Sequence, residues 1–295
     1  MASIDLNLKN RESFIGGVFP REVILYILLP VVLTFSIYTF LRVLWDLDSS
    51  LASNVILFFI LDPANLNTNV FLSSYTHTIF WAHLVPNVIA YIILLTLISW
   101  LIAKRTKLKL LMIMCLIVYP IVNSVFCICF SKTNVGNGLS GIVYCLLGYL
   151  PLATYLYAKN ELRMPLKLYI FFIAILSNLT VYVFYKEVII SLFFLVILIF
   201  LLYFERKNLF ESLDKIIQTI SQQKSTIHKI FNLALAATLI AVPPFIWITF
   251  VPIIQIEGLN VDHKVHMFGL LYGLTISSFI LYKDLKMPLK TDVLS

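Results

Sequence analysis

The sequence predicts an all-α protein, a polytopic bundle of membrane-spanning helices, and three observations carry that prediction. Hydrophobic side chains make up 60% of the 295 residues and charged ones only 13%, about half the share usual in a soluble domain. Mean hydropathy is +0.94. The apolar residues also gather into long runs, and in hydrocarbon a helix satisfies all the backbone hydrogen bonds of such a run internally.

Against about 20 residues per crossing, the runs fall near 22–44, 77–102, 109–130, 139–158, 166–185, 187–204, 230–253 and 265–282. That makes eight transmembrane helices in a single membrane domain over residues 1–295. Residues 1–21 are polar and mixed in charge and lack the short apolar core of a removable signal, so the first span is expected to serve as its own targeting signal. Residues 45–76 form an outer loop with the apolar run Val55 to Leu61, closed by Asp62-Pro63. That run is too short to cross and is expected to lie in the interface or against the helices. Only Tyr185-Lys186-Glu187 separates the fifth and sixth runs, which requires a tight outer turn. Residues 205–228 read as a polar cytoplasmic loop, with Leu213, Ile216, Ile217 and Ile220 at the spacing of a short amphipathic helix.

With a cytoplasmic N-terminus, 18 of the 22 Lys and Arg residues fall on inner segments, and only Arg42, Lys132, Lys186 and Lys264 fall outside. This bias places both ends, including the 1–21 segment, in the cytoplasm of a multi-pass protein of the cell membrane. The net charge of +7 is then a topology code facing the lipid bilayer, and no nucleic-acid partner is expected. Cys115, Cys127, Cys129 and Cys145 all lie in apolar runs, without a Cys/His spacing suited to zinc. They read as small core residues, and neither a disulfide, a metal nor a cofactor is expected.

Polar groups inside a bilayer are costly, so each needs a partner or a function. The second span carries His83 and Asn87, four residues apart on one helix face; the fourth opens with Ser140; the eighth opens with His266. At 1.5 Å rise per residue, Asn87 stands roughly 25 Å above Lys104, His83 roughly 31 Å above it, Ser140 roughly 28 Å above Lys159 and His266 roughly 25 Å above Lys283. Three separate helices thus bring these side chains to one depth, near the outer surface. Ser140 lies in Gly138-Leu139-Ser140-Gly141, after an Asn137-Gly138 turn, so it falls where helix N–H groups lack partners and would stabilise an oxyanion. Gly141 and Gly148 share a face of the fourth span, and His266, Gly269 and Gly273 share one of the eighth. Packing glycine on glycine would bring His266 to Ser140.

These residue types read as a nucleophile, Ser140, with His266 as its base and with His83, Asn87 and the Ser140 N–H as oxyanion donors. Asp262 would orient His266 only if the eighth helix began early; otherwise it is a solvated loop carboxylate, and a Ser-His dyad is expected. The polar stretch Ser73, Ser74, Thr76, His77 and Thr78 reads either as the mouth of a water-filled cavity or as a plain wet helix end. Small residues and histidines in membrane helices also have a plain packing reading, and against it stand the matching depths.

These motifs resemble those of the rhomboid intramembrane serine proteases. The family's GxSG motif is matched by Gly138-Leu139-Ser140-Gly141, its histidine helix by His266, Gly269 and Gly273, with Val265 in place of an alanine, and its HxxxN motif by His83 and Asn87. The resemblance implies a rhomboid-like six-helix core, a stacking role for Tyr144 against the histidine, and no metal. It also implies cleavage of single-span membrane proteins near the outer face. The chain departs from the family in lacking a Trp-Arg pair in the first outer loop. It also has three expected spans, where the family has one, between the serine and histidine helices, which reads as an inserted helix pair. Two other classes remain beside the protease. A rhomboid-like pseudoprotease would bind membrane clients without cutting them, but such relatives typically lack the serine or the histidine. A transporter predicts inverted repeats and charges at mid-depth, and the sequence has neither.

Overall fold

Proline, capping and wide helical turns shape the elements around the site. The computed structural model describes residues 21–60, 70–77, 80–102, 105–130, 138–160, 188–222, 226, 229, 255–256, 259–260 and 263–285. The first helix, α1 (Arg21–Leu47), contains Pro30, and the Thr34 hydroxyl donates to the Pro30 carbonyl at 2.7 Å. Asp48 then caps α2 (Ser49–Phe59), its carboxylate accepting from the backbone N–H groups of Ser50 at 2.9 Å and Leu51 at 3.0 Å. This is the cap that helix N-termini favour, an acceptor offered to donors with no partner inside the helix. Phe40 of α1 and Phe59 of α2 approach with ring centroids 6.2 Å apart, so the apolar stretch of the expected outer loop is a helix packed on its neighbour.

After a 3-10 turn at Leu72–Tyr75, a π-turn at Phe80–Leu84 leads into α3 (Val85–Leu101). Pro86 explains the wide turn, because its ring has no N–H to bond the carbonyl four residues back and clashes with it in a regular helix. The next rod is built from α4 (Arg105–Ile113), a π-turn at Met114–Val118 and α5 (Tyr119–Phe130). That π-turn disturbs the regular pairing of its carbonyls, and tyrosines from elsewhere reach them. Tyr75 donates to Leu116 O at 2.6 Å and Tyr272 to Met114 O at 3.2 Å. The remaining elements are α6 (Ser140–Asn160), α7 (Val188–Gln222), a two-residue antiparallel ladder of β1 (Gln255–Ile256) and β2 (Leu259–Asn260), and α8 (His263–Leu285).

Among the described residues, four helices are long and apolar enough to cross a membrane: Arg21–Leu47, Arg105–Cys129, Ser140–Tyr157 and Val265–Leu285. They correspond to the first, third, fourth and eighth expected spans. The second span is represented by the shorter apolar helix Val85–Leu101, with the π-turn before it. Spans expected at 166–185 and 230–253 lie outside the described residues, as do Asp262 and the 1–20 segment. The run at 187–204 opens α7, which continues unbroken for 35 residues, so the amphipathic helix expected after residue 205 is the continuation of an apolar one.

The chain divides into two compact units, Met1–Leu150 with Ile253–Ile280 and Pro151–Pro252 with Leu281–Ser295. In the second, α7 buries Glu205, whose carboxylate accepts from Asn208 Nδ2 at 2.7 Å, while the Arg206 guanidinium lies 4.0 Å from the centre of the Tyr203 ring. Every candidate site residue belongs to the first unit.

Candidate active site

Ser140 is the first residue of α6 and is 8% exposed. The first intrahelical bond at this end runs from Val143 N to Leu139 O at 3.0 Å, so the N–H groups of Ser140, Gly141 and Ile142 have no acceptor within the helix. Gly138 is required here on two counts. Its φ of +119° lies where side chains are rarely tolerated, and a Cβ on it would sit 3.1 Å from His83 Cε1 and 3.3 Å from His77 Nε2.

The expected glycine crossing is present and is backbone against backbone. A Cβ on Gly269 would lie 2.7 Å from the Gly141 carbonyl oxygen, one on Gly273 would overlap the Cys145 carbonyl, and one on Gly148 would overlap the Leu270 carbonyl. Such approach is what small residues allow where hydrocarbon gives helices no hydrophobic reason to associate. Tyr119 wedges into the same crossing. Its hydroxyl donates to Asn123 Oδ1 at 3.2 Å and stands 2.5 Å from a Cβ position on Gly141. In this register the His266 ring stacks on Tyr144 with centroids 4.2 Å apart and planes 16° from parallel. Tyr144 lies one turn after Ser140 on the same face of α6.

His83 sits in the π-turn and Asn87 in the first turn of α3, both half-buried. Asn87 Nδ2 donates to the His83 carbonyl at 2.8 Å and lies 3.5 Å from His77 Nε2. The His83 ring lies against both Gly138 and His77, its centroid 4.7 Å from that of His77. Ser140, Tyr144, His266, His83 and Asn87 therefore all lie about the start of α6.

The polar stretch before the second span departs from both of its sequence readings. Ser73, Ser74, Thr76 and His77 are buried, so they form neither a wet helix end nor an exposed cavity mouth; Thr78 is outside the described residues. The described 70–77 segment, which includes the 3-10 turn, is held by hydrogen bonds: Ser124 Oγ to Val70 O at 2.8 Å, Gly138 N to Ser73 O at 2.9 Å and Leu139 N to His77 Nε2 at 3.3 Å. Sequence reasoning missed His77 as a site residue because it lies six residues before His83, a spacing that no single helix face accommodates. It missed Tyr119 because a tyrosine in an apolar run gives no signal of its own.

Cys115 and Cys145 are free, buried thiols with sulfurs 3.0 Å apart; Cys127 is buried too, while Cys129 is exposed, against the expectation of a core residue. No group of three or more metal-binding side chains occurs among the described residues.

The fold and its surface define a class: a helical protein embedded in a membrane, with a polar cluster at the start of the most buried span among the described residues. No family model, curated protein or solved structure matches the chain.

Proposed function

We propose that this protein is a rhomboid-like intramembrane serine protease that cleaves single-span membrane proteins near the outer face of the bilayer. The observation that carries the reading is the stack of His266 on Tyr144, one turn along α6 from Ser140, in a register fixed by Gly269 against the Gly141 carbonyl.

In this mechanism Ser140 Oγ attacks the scissile carbonyl and its proton passes to the His266 imidazole. The tetrahedral oxyanion forms beside the Ser140 N–H, with His83 and Asn87 supplying side-chain donors. The C–N bond then breaks, His266 gives its proton to the leaving amine, and an ester remains on Ser140. Water, deprotonated by His266, hydrolyses that ester and restores the serine. Tyr144 holds the imidazole by its face, leaving the ring edge for proton transfer. Substrate entry requires the bilayer as solvent, and the Lys and Arg bias supports an active site opening to the outer side, with both termini cytoplasmic.

The test is cleavage of a model single-span substrate by purified protein in liposomes, comparing wild type with Ser140→Ala and His266→Ala. Cleavage near the outer edge, lost beyond detection in either variant, is the expected result. Equal inactivity of all three, with substrate still bound, would overturn the protease and leave a client-binding pseudoprotease.

A further inference from the structure

Two donors outside the Ser140–His266 pair converge on one atom, His77 Nε2. The Leu139 N–H donates to it at 3.3 Å, Asn87 Nδ2 approaches it to 3.5 Å, and a Cβ on Gly138 would stand 3.3 Å away. The ring is 1% exposed and lies beside that of His83. An imidazole nitrogen that accepts a hydrogen bond carries no proton, so a neutral His77 holds its proton on Nδ1. One lone pair therefore faces two donors, one from the residue before the nucleophile and one from an oxyanion-hole amide.

We propose that His77 is a positioning residue for proteolysis, an obligate acceptor that ties the start of the nucleophile helix to the His83/Asn87 turn; the inference rests on the protease reading. The bond to Leu139 N fixes where Ser140 begins its helix. The same lone pair holds the Asn87 amide, whose first hydrogen is engaged by the His83 carbonyl at 2.8 Å. Only the second hydrogen of that amide can turn to an oxyanion, and while none is present it rests on His77. When the tetrahedral intermediate forms, the amide passes to the stronger, charged acceptor and His77 keeps Leu139 in place. No bond to the substrate is made by His77, so its loss acts on the transition state and leaves substrate docking intact.

The experiment has two readouts. The first is kinetic, on His77→Phe, which fills the ring's space without an acceptor, and His77→Gln, whose side-chain oxygen restores one near the Nε2 position. His77→Phe is expected to lower kcat about 10-fold to 100-fold, the scale of a small misplacement of reacting groups, with KM within about 2-fold. His77→Gln is expected to recover most of that loss. Equal kcat for wild type and His77→Phe, or a loss that His77→Gln does not recover, overturns the proposal.

The second readout needs no cleavage: nitrogen NMR of ¹⁵N-histidine-labelled protein in micelles, where the chain's five histidines give few signals and His77→Phe removes the one sought. A neutral His77 with unprotonated Nε2 is expected, in wild type and in Ser140→Ala alike. A ring protonated on Nε2 overturns the proposal even in an active enzyme. An inactive wild type with the expected tautomer instead overturns the protease reading and, with it, the catalytic consequence, while the clamp itself stands.

Discussion

Two contacts hold the start of α6, and they are made of different physics. On one side, α8 lies against it through glycines, backbone to backbone, with the Tyr119 hydroxyl wedged at the crossing. On the other, the 70–77 segment meets it through hydrogen bonds to His77 Nε2 and Ser73 O, with the His83 ring of the next turn lying against Gly138. In the proposed protease the first contact sets the distance from serine to histidine and the second sets the place of the oxyanion donors. A steric contact fails when atoms are added, whereas a hydrogen-bonded one fails when an acceptor is removed.

The largest effect is therefore expected at the glycines. Gly273→Ala would drive a methyl into the Cys145 carbonyl, which belongs to the helix backbone and cannot rotate away as a side chain could. Overpacking of this kind costs about 1–3 kcal/mol, and the rigid partner puts this site at the upper end. Thermal unfolding in detergent should show a marked fall in midpoint, accompanied by loss of cleavage as α8 carries His266 away. Unchanged stability in Gly273→Ala would show that the two helices do not cross at this point.

A smaller loss is expected at Tyr144, where the contact is an aromatic face and not a clash. Tyr144→Phe keeps the stack on His266 and should retain activity. Tyr144→Leu keeps apolar bulk but removes the stack, worth about 0.5–1.5 kcal/mol for an aromatic pair, so cleavage should fall about 2-fold to 12-fold with little change in unfolding. Equal rates for the leucine and phenylalanine variants would refute a positioning role for the ring.

The difference between the two contacts also explains what was legible in the sequence. Gly141, Gly148, Gly269 and Gly273 announce themselves, because seven- and four-residue spacing puts small residues on one helix face and few other uses require it. The stack of Tyr144 on His266 followed only from resemblance, since spacing within α6 says nothing about a ring on another helix. His77 was not legible as a partner of Leu139. Its side chain leaves a non-helical stretch, so no period predicts its direction, and the two residues are 62 apart in sequence. The same lack of a period made Ser73, Ser74 and Thr76 look wet, although they are buried, with closing bonds such as Ser73 Oγ to Val70 O at 3.2 Å and Thr76 Oγ1 to Leu72 O at 2.9 Å. The π-turn at Phe80–Leu84 escaped too, although Pro86 was the signal for it.

The smallest effect is expected far from either contact, and it separates stability from catalysis. Asp48 caps α2 through Ser50 N and Leu51 N, and Asp48→Ala leaves both donors to water or headgroups at a cost of about 1 kcal/mol. Neither the glycine crossing nor the histidine clamp touches that cap. The variant should therefore unfold at a slightly lower temperature yet cleave at the wild-type rate per folded molecule. Asp48→Asn, which keeps an acceptor oxygen, should recover the midpoint. If Asp48→Ala instead lowered kcat as His77→Phe does, activity would be following general stability, and the kinetic effect of His77 would lose its separate meaning.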